Sequence, residues 1–169
     1  MGKMQEVRLD KVTLNIGAGG AGEKLENAKS LLERITGKKA VVTFAKTRNP
    51  TFKIKKGDEI GVKVTLRGMA AEELLKKSLD AVDSKLVRGS FSREGGFSFG
   101  VREYIDFPGI KYDPKIGMIG FDVSVSLKKP GLRVRERRIA SREIPRKQRV
   151  STEEAVEFMK NKYGVEIIE

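Results

Sequence analysis

The chain has 169 residues, 34% of them charged, and its 35 Lys and Arg against 23 Asp and Glu give a net charge of +12. It contains no Cys and no His, which excludes disulfides, thiol catalysis and Cys-ligated zinc and removes the commonest general base. A positive excess of this size favours a polyanionic partner such as a nucleic acid.

The first predicted strand runs into a glycine-rich turn. Apolar residues alternate over positions 7–16, which predicts a half-buried strand with Asn15 on its polar face. Gly17, Gly19 and Gly22 then spell G-x-G-x-x-G ahead of a helical pattern. This is the spacing that cradles the pyrophosphate of a dinucleotide at a helix N-terminus.

Three interpretations of these glycines compete, namely a dinucleotide site, a P-loop and a structural turn. A dinucleotide site needs an acidic residue about 20 residues on, at the end of the second strand, but Lys46 and Arg48 are found there. A P-loop needs Lys and then Ser or Thr after its last glycine, where this chain has Glu23 and Lys24. We therefore favour a tight strand-to-helix turn that uses glycine for positive φ, and keep an NADP-type binding enzyme as the alternative.

Periodicity predicts the elements that follow in the first half of the chain. Apolar residues at helical spacing predict a helix over 25–35 that ends at Gly37. A short apolar run covers 40–44, and clean alternation predicts a strand over 60–66. A second helical stripe predicts a helix over 72–87.

The second half is less regular. Residues 89–100, rich in Gly, Ser and Phe, favour a hairpin around 95–96, and its phenylalanines are open to two interpretations, stacking on RNA bases or packing in the core. Alternation predicts a strand over 120–127. Ser151 and Glu154 form a capping-box pattern, which predicts a last helix.

The order of these elements is strand, helix, strand, strand, helix, hairpin, strand and tail. Adjacent strands with only two main helices favour an α+β fold with a largely antiparallel sheet over repeating βαβ units. We expect one domain over residues 1–127 and a basic C-terminal extension over 128–169 that ends in a helix.

Basic residues concentrate in two segments. Residues 46–56 hold five basic side chains and no acidic one, and residues 128–149 hold ten basic and two acidic ones. Such clusters suit a phosphate backbone and predict salt-dependent binding. RNA is favoured over DNA because no helix-turn-helix, zinc-finger or basic-zipper pattern is present. A basic module that binds duplex nucleic acid without preference is the second alternative.

Several stretches resemble one ribosomal protein family in order and spacing. They are "KVTLNIGAG", "KTR" followed by "FKIKKGDEIGVKVTLRG", "FSFGVREYIDFPGIKYD" and "GMIGFDVSVS". Over about residues 7–127 the chain resembles the large-subunit ribosomal protein family numbered five in bacteria and archaea and eleven in eukaryotes. The C-terminus is similar to that of the archaeal and eukaryotic members.

The resemblance implies a curved, mainly antiparallel sheet with helices packed on one face, and a structural role without catalytic residues. Family members bind 5S rRNA, help attach it to large-subunit rRNA in the central protuberance, and contact P-site tRNA through a basic loop. The implied partners are these three RNAs and the neighbouring ribosomal proteins. We expect a cytoplasmic protein, monomeric within the ribosome, that uses no cofactor, metal or membrane.

The residues of this chain that match the family's motifs give two groups of expected site residues, and the basic segments add a third group. The expected 5S rRNA-binding positions are Lys11, Asn15, Lys38 and Thr65. The expected tRNA-facing loop contains Lys46, Thr47, Arg48, Thr51 and Lys53. Further rRNA contacts are expected at Lys55, Lys56, Arg133, Arg135, Arg137, Arg138, Arg142, Arg146, Lys147 and Arg149.

Overall fold

The computed structural model describes residues 4–168, so that residues 1–3 and 169 lie outside it. Its elements in chain order are β1 (Arg8–Gly17), α1 (Glu23–Thr36), β2 (Val41–Phe44), β3 (Glu59–Leu66), α2 (Met69–Asp80), β4 (Lys85–Val87), β5 (Phe97–Val101), β6 (Phe121–Lys128), α3 (Arg133–Glu136), α4 (Thr152–Tyr163) and β7 (Glu166–Ile168). The predicted α+β class is confirmed.

Five strands form one sheet in the order β2-β3-β1-β6-β5, and β4 and β7 form a separate parallel ribbon. β2 and β3 are antiparallel. Between β1 and β3, the hydroxyls of Thr13 and Thr65 lie 3.2 Å apart, and the Ala18 N–H donates to the Ile60 carbonyl at 2.9 Å. Residue numbers therefore rise along β1 as they fall along β3, which is antiparallel pairing and confirms the mainly antiparallel sheet.

One face of this sheet is buried. Alternate residues over 12–16 of β1 and 62–66 of β3 are apolar and buried, as in Val12, Leu14 and Val62, while Asn15 is half-buried and Thr65 is exposed. Because successive side chains of a strand point to opposite faces, the apolar set packs in the core and the polar set lies on the other face.

The described chain divides into two compact units. The first comprises residues 4–12, Arg67–Phe99 and residues 124–168, and the second comprises Thr13–Leu66 and Gly100–Val123. Within the second unit, α1 packs against β3. Within the first unit, α2 and α4 are joined by an ion pair between Glu72 and Lys162 at 2.8 Å. The domain boundary expected after residue 127 stays a prediction.

Glycines set both ends of α1. Gly22 occupies the position before the helix with φ 132° and ψ −164°, a conformation open essentially only to glycine. Gly37 ends the helix at φ 62°, and its N–H donates to the Glu33 carbonyl at 2.8 Å. The predicted helix and its stop at Gly37 are confirmed.

The helix predicted over 72–87 is wrong at its C-terminal end. α2 ends at Asp80, and the chain then turns through Asp83 and Ser84, whose φ values are 52° and 55°. Leu86 is buried in β4, which pairs with β7. In the sequence, Leu86 continues the helical spacing of the leucines of α2. Periodicity alone therefore could not distinguish β4 from a continuation of the helix.

The helix predicted for the extension is present as α4, and the short strand β7 follows it. The capping box is confirmed, since the Glu154 N–H donates to Ser151 Oγ at 3.2 Å and the Ser151 N–H donates to the Glu154 carboxylate at 3.0 Å. α4 stops at Gly164 with φ 65°, and β7 follows. A three-residue strand is too short to show alternation.

The hairpin predicted around 95–96 is present as a tight turn. The Ser92 N–H donates to the Gly96 carbonyl at 2.7 Å, and Phe91 and Phe97 pair across the turn. Their rings lie 5.1 Å apart between centroids, and both side chains are buried. These two phenylalanines therefore pack in the core and are not available to stack on bases.

A buried ammonium group joins the start of the extension to α4. Lys129 is 5% exposed, and its Nζ donates to the Glu154 carboxylate at 2.7 Å and to the Arg149 carbonyl at 3.3 Å. Burial by itself would raise the pKa of Glu154, but the hydrogen bonds from Lys129 and from the Ser151 N–H outweigh it and hold the pKa below its ordinary value of 4.5.

We expect Gly22→Ala to destabilise the protein by about 1–3 kcal/mol, because an alanine at this φ is strained. The matched control is Gly17→Ala in the same glycine turn, where φ is not positive and a Cβ would have no atom within 4 Å; it should change stability by less than about 0.5 kcal/mol. Urea unfolding measures both variants. Equal effects would contradict the assignment of backbone strain to Gly22.

The Lys129–Glu154 pair predicts an acid-dependent loss of stability. Because folding lowers the pKa of Glu154, its contribution is complete above the ordinary value and is lost as the pH falls through the folded-state value. Glu154→Gln should therefore be less stable than the parent at pH 7, by about 1 kcal/mol, and the difference should shrink below pH 4.5.

The matched control for this pH dependence is Glu157→Gln, an exposed position on the same helix. Its stability should follow that of the parent at every pH. Urea unfolding at several values between about pH 3 and pH 7 gives the free energy of unfolding of the three proteins. A pH-independent difference between Glu154→Gln and the parent would refute the prediction.

Candidate RNA-binding surfaces

Polar side chains of β1 and β3 lie side by side in the second unit. The hydroxyls of Thr13 and Thr65 are 3.2 Å apart. The same antiparallel register sets Asn15, two residues after Thr13 on β1, beside Lys63, two residues before Thr65 on β3. We call Thr13, Asn15, Lys63 and Thr65 the strand face. The structure thus brings together two of the predicted site residues, Asn15 and Thr65, on a rigid support.

The strand face contains two residues that the sequence analysis did not select. Thr13 stands on the polar side of the predicted alternation, and Lys63 lies two residues before Thr65. The signal that could have found them is the period of two in each strand. It becomes informative only when the register between the strands is known.

The other two expected 5S rRNA-binding residues are placed differently. Lys11 is half-buried on β1, on the same side as Thr13 by alternation, and belongs to the first unit. Lys38 is exposed just after α1, and its N–H donates to Thr36 Oγ1 at 3.3 Å. Among residues 4–168, no hydrogen bond or ion pair links Lys38 to the strand face.

The segment 46–56, which we call the basic loop, forms a hydrogen-bonded turn. Asn49 and Ile54 exchange backbone hydrogen bonds at 2.9 and 3.0 Å, and the Thr51 N–H donates to the Asn49 side-chain carbonyl at 3.1 Å. Lys53 has φ 55°. The predicted tRNA-facing residues are all exposed: Lys46, Thr47, Arg48, Thr51 and Lys53.

Asp58 closes the base of the basic loop. Its carboxylate accepts from the Lys55 N–H at 2.7 Å, and its carbonyl accepts from the Ala45 N–H at 2.8 Å. The Gly57 N–H returns a bond to the Ala45 carbonyl at 3.0 Å. Backbone carbonyls and the Asp58 carboxylate thus accept the N–H groups at the base of the loop, and the basic side chains, including Lys55 and Lys56, are exposed.

The basic extension presents most of its cations to solvent. α3 is a single turn, and Ser141 Oγ donates to the Arg135 carbonyl at 2.8 Å. The following side chains are exposed and form no ion pair within residues 4–168: Arg133, Arg135, Arg137, Arg138, Arg142, Arg146 and Lys147. Clustered, unpaired guanidinium groups are suited to bidentate contacts with phosphates.

Arg149 differs from these residues. Its guanidinium lies 3.4 Å from the Glu94 carboxylate and 3.9 Å from that of Glu143, and its Nε donates to the Ile144 carbonyl at 3.4 Å. Its expected rRNA contact stays a prediction, but its side chain already holds the extension to the hairpin turn.

Further polar contacts fasten both ends of the arginine-rich segment 128–149, the part of the extension that precedes α4. At the start, Lys128 Nζ donates to the Asp10 carboxylate at 2.6 Å. Near the end, the Gln148 side-chain amide donates to the Pro130 and Met4 carbonyls at 3.0 and 2.9 Å. The exposed cations therefore lie on a loop whose two ends are fixed.

Another ion pair uses a basic residue for structure in the second unit. The Arg34 guanidinium donates to the Asp113 carboxylate at 2.7 Å, and the Lys115 N–H donates to it at 3.1 Å. These hydrogen bonds, that from Arg34 first, lower the pKa of Asp113 below its ordinary value. Arg34 thus ties α1 to the loop that precedes β6.

The glycine turn does not have the geometry of a dinucleotide site. The N–H groups of Ala18 and Gly19, which would have to face a pyrophosphate, both donate to the Ile60 carbonyl, at 2.9 and 3.1 Å. The strand before the turn also pairs antiparallel with β3, unlike the parallel strands of a βαβ unit. The geometry favours the structural turn.

Within residues 4–168, no group of His, Cys, Asp or Glu side chains has an arrangement that could hold a metal ion. In the same part of the chain, no helix combines the length and the apolar character needed to cross a bilayer.

Comparison with known proteins extends the resemblance to nearly the whole chain. The family model for "Ribosomal protein L5" matches residues 3–55, and the model for the C-terminus of the same ribosomal family matches residues 59–158. Three similar archaeal proteins are each named large ribosomal subunit protein uL5. That of Sulfurisphaera tokodaii is 49% identical over 98% of this chain and 94% of its own length.

The other two relatives are equally extensive matches. The protein of Methanosphaera stadtmanae is 45% identical over 99% of each chain, and that of Methanococcoides burtonii is 45% identical over 97% of each chain. With both parts of the chain matched in order and the expected α+β sheet present, the chain belongs to the ribosomal protein L5 family, a family of structural proteins without enzymatic activity.

Proposed function

We propose that the protein is a structural constituent of the large ribosomal subunit that binds 5S rRNA and helps attach it to large-subunit rRNA in the central protuberance. In this proposal it also contacts P-site tRNA through the basic loop. The shared name of its relatives supports the place in the large subunit. The RNA partners follow from the family resemblance and from the surfaces described above.

The observation that carries the 5S rRNA assignment is the strand face. Its amide and hydroxyl groups can meet ribose hydroxyls and base edges, and the Lys63 ammonium can meet a phosphate. These groups stand on adjacent strands whose opposite sides are packed in the core, so their spacing is fixed before RNA arrives. Sites on strands are positioned more precisely than sites on loops.

The basic loop suits a different kind of contact. Its tip is a short turn with exposed cations and no acidic residue between positions 46 and 56. Such a tip can approach a phosphate backbone without demanding one base sequence. This chemistry supports a contact with tRNA, whose backbone shape is common to all the tRNAs that pass through the P site.

The basic extension supplies the third surface. Its exposed guanidinium groups are free of internal acid partners within the described residues, so they can neutralise phosphates of rRNA, chiefly those of the large-subunit rRNA. Release of condensed counterions makes such binding fall steeply with salt. Neighbouring ribosomal proteins are the remaining expected partners. We expect the protein to be cytoplasmic and to be a monomer within the ribosome.

Competition binding tests the 5S rRNA assignment against a general RNA-binding module. The protein is bound to labelled archaeal 5S rRNA and challenged with unlabelled 5S rRNA or with unrelated duplex RNA of equal length. We expect only the 5S competitor to displace the label at low excess. Equal displacement by both competitors would refute the assignment.

Substitutions on the strand face should weaken 5S rRNA binding more than one on the basic loop. Asn15→Ala and Thr65→Ala each remove a hydrogen-bonding group and should raise Kd about fivefold, or about 1 kcal/mol. Lys53→Ala, the control, should change it less than twofold (~0.4 kcal/mol). Filter binding measures Kd, thermal unfolding checks the fold, and the reverse order would contradict the division between the two surfaces.

A further inference from the structure

A cavity of about 400 Å³ lies in the first unit, bounded by β1, β6, the hairpin turn and α3. Lys11 contributes from β1 and Ser126 from β6, while Ser92 comes from the turn and Arg135 from α3. Its volume falls in the range of sites that enclose small ligands. Only Lys11 among these four residues was selected as a 5S rRNA-binding position.

Two of the three carboxylates that line the cavity are paired with cations. Asp10 shares one carboxylate oxygen between Arg67 at 3.1 Å and Lys128 at 2.6 Å. Glu94, also in the wall, is paired with Arg149 at 3.4 Å. These two carboxylates are therefore neutralised from outside the cavity.

The cations in the walls are in the opposite situation. Neither Lys11 nor Arg135 forms an ion pair with any residue between 4 and 168, and they enter from different elements of the fold. Two cations without acidic partners in one cavity favour a ligand that carries negative charge. Glu136, the remaining carboxylate of the lining, can accept a hydrogen bond from a hydroxyl or an exocyclic amine.

We propose that this cavity takes one unpaired ribonucleotide of 5S rRNA, an inference that rests on the proposed function. The phosphate lies between Lys11 and Arg135, and the hydroxyls of Ser92 and Ser126 meet the ribose, whose 2′-OH can both donate and accept. The apolar lining, from Leu127 and Leu132, receives the base.

This division of roles explains why hydroxyl groups and neutralised carboxylates occur beside the most basic segment of the chain. A surface that only attracted phosphates would need cations alone. A cavity that encloses a sugar and a base needs short polar groups and apolar area as well. It also excludes a paired nucleotide, because a base must leave its helix to enter.

Filling the cavity tests the proposal. Ser126→Leu adds an apolar side chain to one wall of the cavity, and Ser92→Leu adds one to another wall. Because Ser92 is exposed, the second variant keeps the test valid if the first one fails to fold. Each should raise Kd for 5S rRNA about tenfold, the effect of losing one enclosed base. Ser30→Leu, an exposed control on α1, should bind as the parent does.

A second readout identifies the nucleotide. With 5S rRNA pools that carry single 2′-deoxy substitutions, one position should weaken binding by the parent protein and have no added effect on Ser126→Leu. If both cavity variants bind as tightly as the parent while Asn15→Ala binds weakly, the cavity proposal fails and the 5S rRNA function stands. If duplex RNA competes equally with 5S rRNA, the proposed function fails first.

Discussion

The register between β1 and β3 is the constraint on which the core and the strand face both depend. Alternation sends Val12 and Leu14 inward and Thr13 and Asn15 outward. A slip of one residue would exchange the two sets, exposing the core and burying the polar groups. The register that pairs Thr13 with Thr65 therefore has two effects. It positions the polar groups that we propose bind RNA, and it directs the apolar side chains of the same strands into the core.

Electrostatics divides the basic residues into two populations with different tasks. Lys128, Lys129 and Arg149 form ion pairs that fasten the arginine-rich segment. Because Lys129 is almost fully buried, its charge depends on Glu154 for compensation. The exposed guanidinium groups between these points have no such partners in the described chain. A loop fixed at its ends by internal charge pairs can present its remaining charge without collapsing onto its own acidic residues.

Much of the fold could be predicted because several elements carry local signals. α1 has its Gly37 stop, β3 its alternation, and α4 its Ser151 capping box. β4 and β7 could not be predicted, since each is three residues long and exists only through pairing with the other. The same holds for the site: alternation indicated Asn15, whereas the pairing of Arg149 with Glu94 joins positions 55 apart in sequence.

The parallel pairing of β4 with β7 also bears on the order in which the chain can fold during synthesis. The second unit needs nothing beyond Val123, so all its segments are available while the basic extension is still being translated. The first unit combines three separate segments and closes only when β7 reaches β4, which makes it the part with the longest-range contacts and the slower nucleation. The arginine-rich segment gains its anchors earlier, since Asp10 and Glu94 precede it in the chain and Glu154 follows it within α4, before β7.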